Sequence, residues 1–340
     1  MINSVYRLVA PGLIDIACTE PDLKNSVIMR PVYLSVCKAD QRYYLGKRSR
    51  EALKAKLPMA LIHECVAKVV FDPTGNFKAG EYVVPVPNMP TEDDDVIAEN
   101  YRLSSHFCSS GYDGFLRDYI DMPPDRLVRV PEGVDLKVAS FSELISVAVH
   151  AVSRFEKFAH SRRASIGVWG DGNVGYITAL IIKALYPDAK LYVFGTVWEK
   201  LNYFAFADGV YHVDHVPADL RVDHAFECVG GEASRYAVAQ IIDMINPEGC
   251  VGLMGVSESP VGINTRMVLE RGLNLFGSSR SGVEDFQRTM DLLEENPRIA
   301  QYLENLIAGV VEIRTIPDIH SAFQQDISRN FGKTVLKWDK

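Results

Sequence analysis

Cysteine is scarce and scattered in this chain. Its 340 residues hold six, at positions 18, 37, 65, 108, 228 and 250, with no C-x-x-C pair. That spacing excludes a disulfide framework and a zinc ribbon, and makes a reduced, cytoplasmic setting the expectation. Long apolar runs are missing too. None reaches the roughly 18 residues a membrane span requires. The opening Met1-Ile2-Asn3-Ser4-Val5-Tyr6-Arg7 lacks the charged-then-apolar layout of a signal peptide. Blocks of like charge are short, the densest being Glu92 to Asp95, and the formal charge of −8 argues against non-specific binding to nucleic acid. Internal repeats and low-complexity segments are absent.

What remains is a chain with 47% apolar and 24% charged residues, long enough for two domains with real cores. Its most informative stretch is Val168-Trp169-Gly170-Asp171-Gly172-Asn173-Val174-Gly175. This G-x-G-x-x-G run follows a short apolar segment, Ala164 to Trp169. An apolar run of helical character follows it, Val174 to Tyr186, ended by Pro187. Strand, glycine turn and helix together make a phosphate cradle. Gly170 permits the turn, Gly172 lets backbone approach a pyrophosphate, and Gly175 lets helix and strand pack closely. Asn173 and Val174 open the helix whose free N–H groups face the anion.

From about residue 165 strands and helices alternate. The strand-like runs are Lys190 to Phe194, Val210 to Val213, His224 to Val229, Cys250 to Val256 and Leu273 to Gly277. The helix-like runs are Val197 to Ala207, Gly231 to Ile245 and Val283 to Glu295. This alternation predicts a parallel sheet with helices on both faces. The first 145 residues instead hold short β-type runs punctuated by Pro and Gly: Ser26 to Val36, Cys65 to Phe71, Glu81 to Pro87, Gly114 to Ile120 and Arg126 to Val130. That is the pattern of an irregular β-barrel or sandwich. The chain ends in a further helix and the strand Thr334 to Lys337. The α/β part, 148–277, is therefore expected as an insertion between 1–147 and 278–340.

A dinucleotide fold usually ends its second strand with an acid, about 20 residues past the glycines, that binds the ribose 2′-hydroxyl. Gly195 stands there instead. With Thr196 as a donor and Lys200 one turn further on, the sequence favours NADP over NAD. Three distant places carry zinc-type ligands: Cys37; the pair His63 and Glu64; and Glu143. Thiolate, imidazole and carboxylate suit a zinc ion that keeps one position open. Asp40 is placed to fix the other ring nitrogen of His63. Neighbouring residues of a strand point to opposite faces, so His63 and Glu64 share an ion only if the backbone bends there.

These residues together resemble the medium-chain dehydrogenase/reductase superfamily. The matching elements are Cys37 to Asp40, His63-Glu64, Glu143, Gly170 to Gly175, Phe226 to Gly231 and Gly332 to Lys337. The resemblance implies a GroES-like β-rich catalytic domain with an inserted Rossmann doubly wound sheet. Other segments are similar to the ribulose-5-phosphate reductases of wall teichoic acid synthesis: Ala39 to Tyr44, Asp95 to Tyr101, Trp169 to Asn173 and Gly277 to Ser281. This implies NADPH-linked reduction of D-ribulose 5-phosphate to D-ribitol 5-phosphate with zinc held by Cys37, His63, Glu64 and Glu143, and a cytidylyltransferase partner that makes CDP-ribitol.

Two departures from the wider superfamily stand out. Pro87 to Gly111 holds only Cys108 where many relatives have four cysteines, so a structural zinc is not expected. Ala39 stands where many relatives place a Ser or Thr proton relay, so the proton must travel another way, through Glu64 or a substrate hydroxyl. Lys38, Arg42 and Arg280 are the expected cations for the substrate phosphate. A homodimer is expected, with strand Leu273 to Gly277 as a plausible pairing edge. The alternatives are a zinc polyol dehydrogenase acting on another sugar alcohol, and a mainly structural subunit of a cytidylyltransferase complex.

Overall fold

A computed structural model describes residues 1–340. The chain divides into two units, Met1–Ser146 with Arg280–Lys340, and Val147–Ser279.

The first unit is β-rich. Its larger sheet runs in the order Leu127–Arg129, Tyr82–Pro85, Glu64–Phe71, Val27–Ser35, Lys333–Trp338, Ile307–Ile313, and Ile120–Met122 also pairs with Val27–Ser35. The C-terminal strand therefore lies at the heart of a sheet begun by the N-terminal region, antiparallel to Val27–Ser35 and parallel to Ile307–Ile313. Pro31 has no N–H to give the ladder, and the register against Glu64–Phe71 shifts between Pro31 and Tyr33. A second sheet, Leu13–Thr19, Asn3–Ala10 and Met59–Ala60, comes from residues that the sequence pattern had not marked as strand. Leu8, Leu34, Phe115, Phe323 and Leu336 are fully buried in the shared core.

Gly114 to Ile120, read as a strand, is mostly not one. Its N–H groups at 114, 115 and 116 bond to the carbonyls of Ala60, Ile62 and Leu61, and only Ile120 enters a strand. A side chain at Gly114 would meet the Ile62 carbonyl oxygen at 2.3 Å, so this segment and the 60–62 segment lie backbone against backbone. Glu99 secures the return segment. Its carboxylate accepts from Val283 N–H at 2.9 Å, at the start of helix Val283–Glu295, and from Arg126 at 2.9 Å.

The second unit is a six-stranded parallel sheet ordered Gly209–His212, Lys190–Gly195, Ser165–Trp169, His224–Glu227, Cys250–Leu253, Asn274–Gly277. Numbered within the unit this is 3-2-1-4-5-6, the dinucleotide-binding order. The strand order reverses beside Ser165–Trp169, which pairs with both the second and the fourth strand. Helices Asn173–Leu185 and Ser234–Met244 supply most of the helical cover. The expected helix Val197 to Ala207 is only Trp198–Leu201, because the chain turns at Asn202 and buries Phe204 instead of continuing. Trp169 and Phe194 stack at 4.0 Å between centroids and anchor the core beneath the glycine turn.

Candidate active site: a buried donor cluster and a glycine cradle

The donor cluster forms where three stretches meet in the first unit. Cys37 is extended and caps the helix Lys38–Tyr44. Asp40, one turn in, turns its carboxylate back to accept from Cys37 N–H at 3.2 Å. Asp40 is fully buried and also accepts from Ile62 N–H at 3.0 Å and from the Ser109 hydroxyl at 2.5 Å. One carboxylate thus ties together the cysteine turn, the histidine turn and the 107–110 segment. The bend required at His63 is present. Ile62 has φ of 69°, rare for a β-branched residue, and the strand begins only at Glu64. His63 and Glu64 therefore both turn inward. Glu143 comes from the first turn of helix Ser142–Phe158.

Donor atoms of Cys37, Asp40 and His63 lie within 4.8 Å of one another, as do those of His63, Glu64 and Glu143, so His63 is common to two overlapping triads. All four sequence-predicted ligands and Asp40 are thus gathered, with Asp40 Oδ1 3.5 Å from His63 Nδ1 and Glu143 Oε2 3.9 Å from Nε2. Lys333 is a participant whose role is not legible in the sequence. Only 2% exposed, its ammonium lies 2.9 and 2.7 Å from the two oxygens of Glu64. The clue was its place in Gly332-Lys333-Thr334 beside an otherwise apolar strand.

The electrostatics describe a site short of positive charge. Burial drives the Glu143 carboxyl up to about 7, despite the pull of His63. Burial also raises Glu64 against the attraction of Lys333, and raises the Cys37 thiol against that of His63. Burial alone would lower His63, but Asp40 and Cys37 outweigh it and hold the imidazole well above its ordinary value. His63 Nδ1 is buried with no hydrogen-bond partner. An orphaned ring nitrogen, a thiol and two acids whose pKa values burial raises fit a divalent cation, which would take those donors in their deprotonated forms.

The cofactor pocket belongs to the second unit. About 630 Å³ in volume, it is lined by Trp169 to Gly172, Gly195, Thr196, Lys200, Cys228 and Tyr236, among others. A side chain at Gly175 would meet the carbonyl oxygen of Gly170 at 1.9 Å, so turn and helix pack as closely as expected. Nothing lies within 4 Å of the place where a Gly172 side chain would project, so that glycine leaves open space for a ligand. The Gly195 expectation needs correction. The strand carries no acid there, yet the Asp171 carboxylate from the glycine turn occupies the spot. A side chain at 195 would meet it at 2.7 Å. Asp171 Oδ2 accepts from the N–H groups of Thr196 and Val197 at 2.7 and 2.9 Å, and Lys200 lies 3.7 Å from Oδ1. Its charge is spent within the loop.

Of the three expected phosphate cations, Arg280 lies over Phe107 at 4.8 Å, and Phe107 in turn packs edge-on against His63 at 5.5 Å. Lys38 bonds to Gln41 Oε1 at 3.4 Å, and Arg42 is half-buried on the same helix.

A GroES-like unit carrying a Cys-His-Glu donor cluster, joined in one chain to a dinucleotide-type sheet, defines a zinc-binding dehydrogenase of the alcohol dehydrogenase kind. The alcohol dehydrogenase GroES-like domain family matches residues 23–132, and the zinc-binding dehydrogenase family matches residues 189–295. The ribulose-5-phosphate reductase of Bacillus spizizenii is 53% identical over 340 residues, all of both chains. Ribulose-5-phosphate reductase 2 of Staphylococcus aureus is 52% identical over 339 residues, 99% of each. The crystal structure of S. aureus TarJ in complex with NADPH superposes with a TM-score of 0.90 at 47% identity over the whole of both chains. The chain belongs to the ribulose-5-phosphate reductase family.

Proposed function

We propose that this protein reduces D-ribulose 5-phosphate to D-ribitol 5-phosphate with NADPH at one zinc centre. The observation that carries the reading is the convergence of Cys37, His63, Glu64 and Glu143, from three distant stretches, around one buried imidazole. Family membership at 53% identity over the full length supports the substrate. The NADPH complex of the S. aureus relative supports the cofactor.

Bound zinc would polarise the C2 carbonyl as a Lewis acid, and bound NADPH would supply the hydride. Cys37, His63, Glu64 and Glu143 would hold the metal, while Asp40 fixes the turn that presents His63. Gly170, Gly172, Asn173, Val174 and Gly175 cradle the pyrophosphate at the helix N-terminus. Thr196 and Lys200 would bind the 2′-phosphate. Arg280, Arg42 and Lys38 attract the substrate phosphate. Lys333 balances the charge of Glu64. Cys37 shares a donor group with His63 and Asp40, so one zinc is proposed there. The edge strand Asn274–Gly277 pairs on one side only, which supports homodimerisation through it. The product would feed a cytidylyltransferase partner making CDP-ribitol for wall teichoic acid. No helix is long and apolar enough to cross a membrane.

The test is metal analysis of the purified protein alongside NADPH oxidation with ribulose 5-phosphate, xylulose 5-phosphate and ribulose. About one zinc per chain and preference for ribulose 5-phosphate are expected. Cys37→Ser should lose both metal and turnover. Full turnover in metal-free protein, or equal use of all three sugars, would overturn the reading.

A further inference from the structure

Two cations lie over the ring of Tyr43, a buried residue one turn beyond Asp40 on the helix Lys38–Tyr44. The Lys56 ammonium lies 5.8 Å from the centre of the Tyr43 ring, and the Arg48 guanidinium lies 5.0 Å from it. Burial lowers the pKa of the Arg280 guanidinium, against the opposing pull of Glu143 and Tyr43. Arg280 adopts φ of 59°, an uncommon conformation for a residue with a side chain.

The 107–110 segment joins these cations to the donor cluster. Phe107 lies between Arg280 and His63, Ser109 bonds to Asp40, and Ser110 accepts from Lys56 Nζ at 2.8 Å. Neither Lys56 nor Arg280 has a carboxylate ion-pair partner. Lys56 has only the Ser110 hydroxyl and the Tyr43 face, and Arg280 has the Phe107 face. In a chain with net charge −8, two half-buried cations, Lys56 on the Tyr43 ring and Arg280 on the Phe107 ring, neither ion-paired to a carboxylate, suit an anion.

We propose that Lys56, on the Tyr43 ring and the Ser110 hydroxyl, and Arg280, on the Phe107 ring, form the clamp that receives the phosphate of the sugar phosphate. This rests on the reductase reading above and deepens it. Lys56 is then a specificity residue, which the sequence did not reveal because it lies 13 positions beyond Tyr43 in a separate helix, Arg50–Lys56. An ammonium and a guanidinium flanking a phosphate tell ribulose 5-phosphate from ribulose without touching the carbonyl.

The test compares wild type, Lys56→Met and Lys56→Arg. Kinetics would use ribulose 5-phosphate and ribulose, and calorimetric titration would use ribitol 5-phosphate. Lys56→Met is expected to raise KM for ribulose 5-phosphate, and Kd for ribitol 5-phosphate, by about tenfold or more. KM for NADPH and turnover of ribulose should stay within about twofold. Lys56→Arg should recover most of the loss, which a folding defect would not permit. Equal losses on ribulose and ribulose 5-phosphate, or unchanged binding of ribitol 5-phosphate, would overturn the clamp and leave the reductase reading standing. A wild type inactive on both sugars would sink the reductase reading instead, while tight binding of ribitol 5-phosphate that weakens in Lys56→Met would still uphold the clamp.

Discussion

At the scale of single residues, Gly195 shows how a missing side chain can mislead. The strand end lacks the acid that often marks NAD use. The space is nonetheless filled by Asp171, whose Oδ2 caps the N–H groups of Thr196 and Val197. The usual exchange for changing cofactor preference, Gly195→Asp, is therefore expected to fail here. The new side chain would meet Asp171 at 2.7 Å and place a second carboxylate beside the first. Steady-state kinetics should show KM rising for both NADH and NADPH by about tenfold or more, with no gain in NADH preference. A clean switch to NADH would show that Asp171 yields easily and that its capping role is minor. Lys333 and Glu64 are a second case. A lysine in a closing strand reads as a solvated charge, and only the fold reveals that it is buried against a ligand carboxylate.

At the scale of elements, the strand His224–Glu227 carries a titration that should register in stability. His224 is buried where that strand begins. Its Nδ1 accepts from Cys250 N–H at 3.1 Å and its Nε2 donates to the Arg162 carbonyl at 2.9 Å, so both nitrogens are committed in the neutral form. Burial, aided by the nearby His160, lowers its pKa to about 4. The unfolded chain thus binds a proton near pH 6.5 that the folded chain refuses until about 4, and His224 should make stability fall as pH drops through that window. Thermal melts from pH 4 to 7 should show a shallower slope for His224→Gln than for wild type. Parallel slopes would remove His224 from the acid response.

Elements also mark where the pattern was legible. The glycine turn with its flanking strand and helix, and the parallel alternation after it, follow from local periodicity. The helix Lys38–Tyr44, the left-handed bend at Ile62 and the shortening of the 197–207 helix do not. Each is decided by partners far along the chain, such as Ser109 for Asp40 or the buried pocket for Phe204.

At the scale of the whole molecule, metal donors and cofactor pocket are built by different units. Every donor of the cluster lies in 1–146, and the pocket is lined only by residues between 169 and 240. Stripping the metal with dipicolinate should therefore abolish reduction of ribulose 5-phosphate while leaving NADPH affinity, read by its fluorescence, within about twofold. A large loss of NADPH binding on chelation would mean that the metal organises the nucleotide-binding unit as well.

The sequence by itself determined the glycine cradle, the β-rich frame around it in chain order, and which residues to propose as metal donors, because glycine spacing, strand periodicity and ligand chemistry are local properties. Tertiary structure alone decided that the acid at Gly195 comes from Asp171, that Lys333 faces Glu64 and that the 107–110 segment links Lys56 and Arg280. A charge is assigned its task by what it is buried against, and chain separations of 24, 269 and 224 residues leave no periodic trace of such encounters.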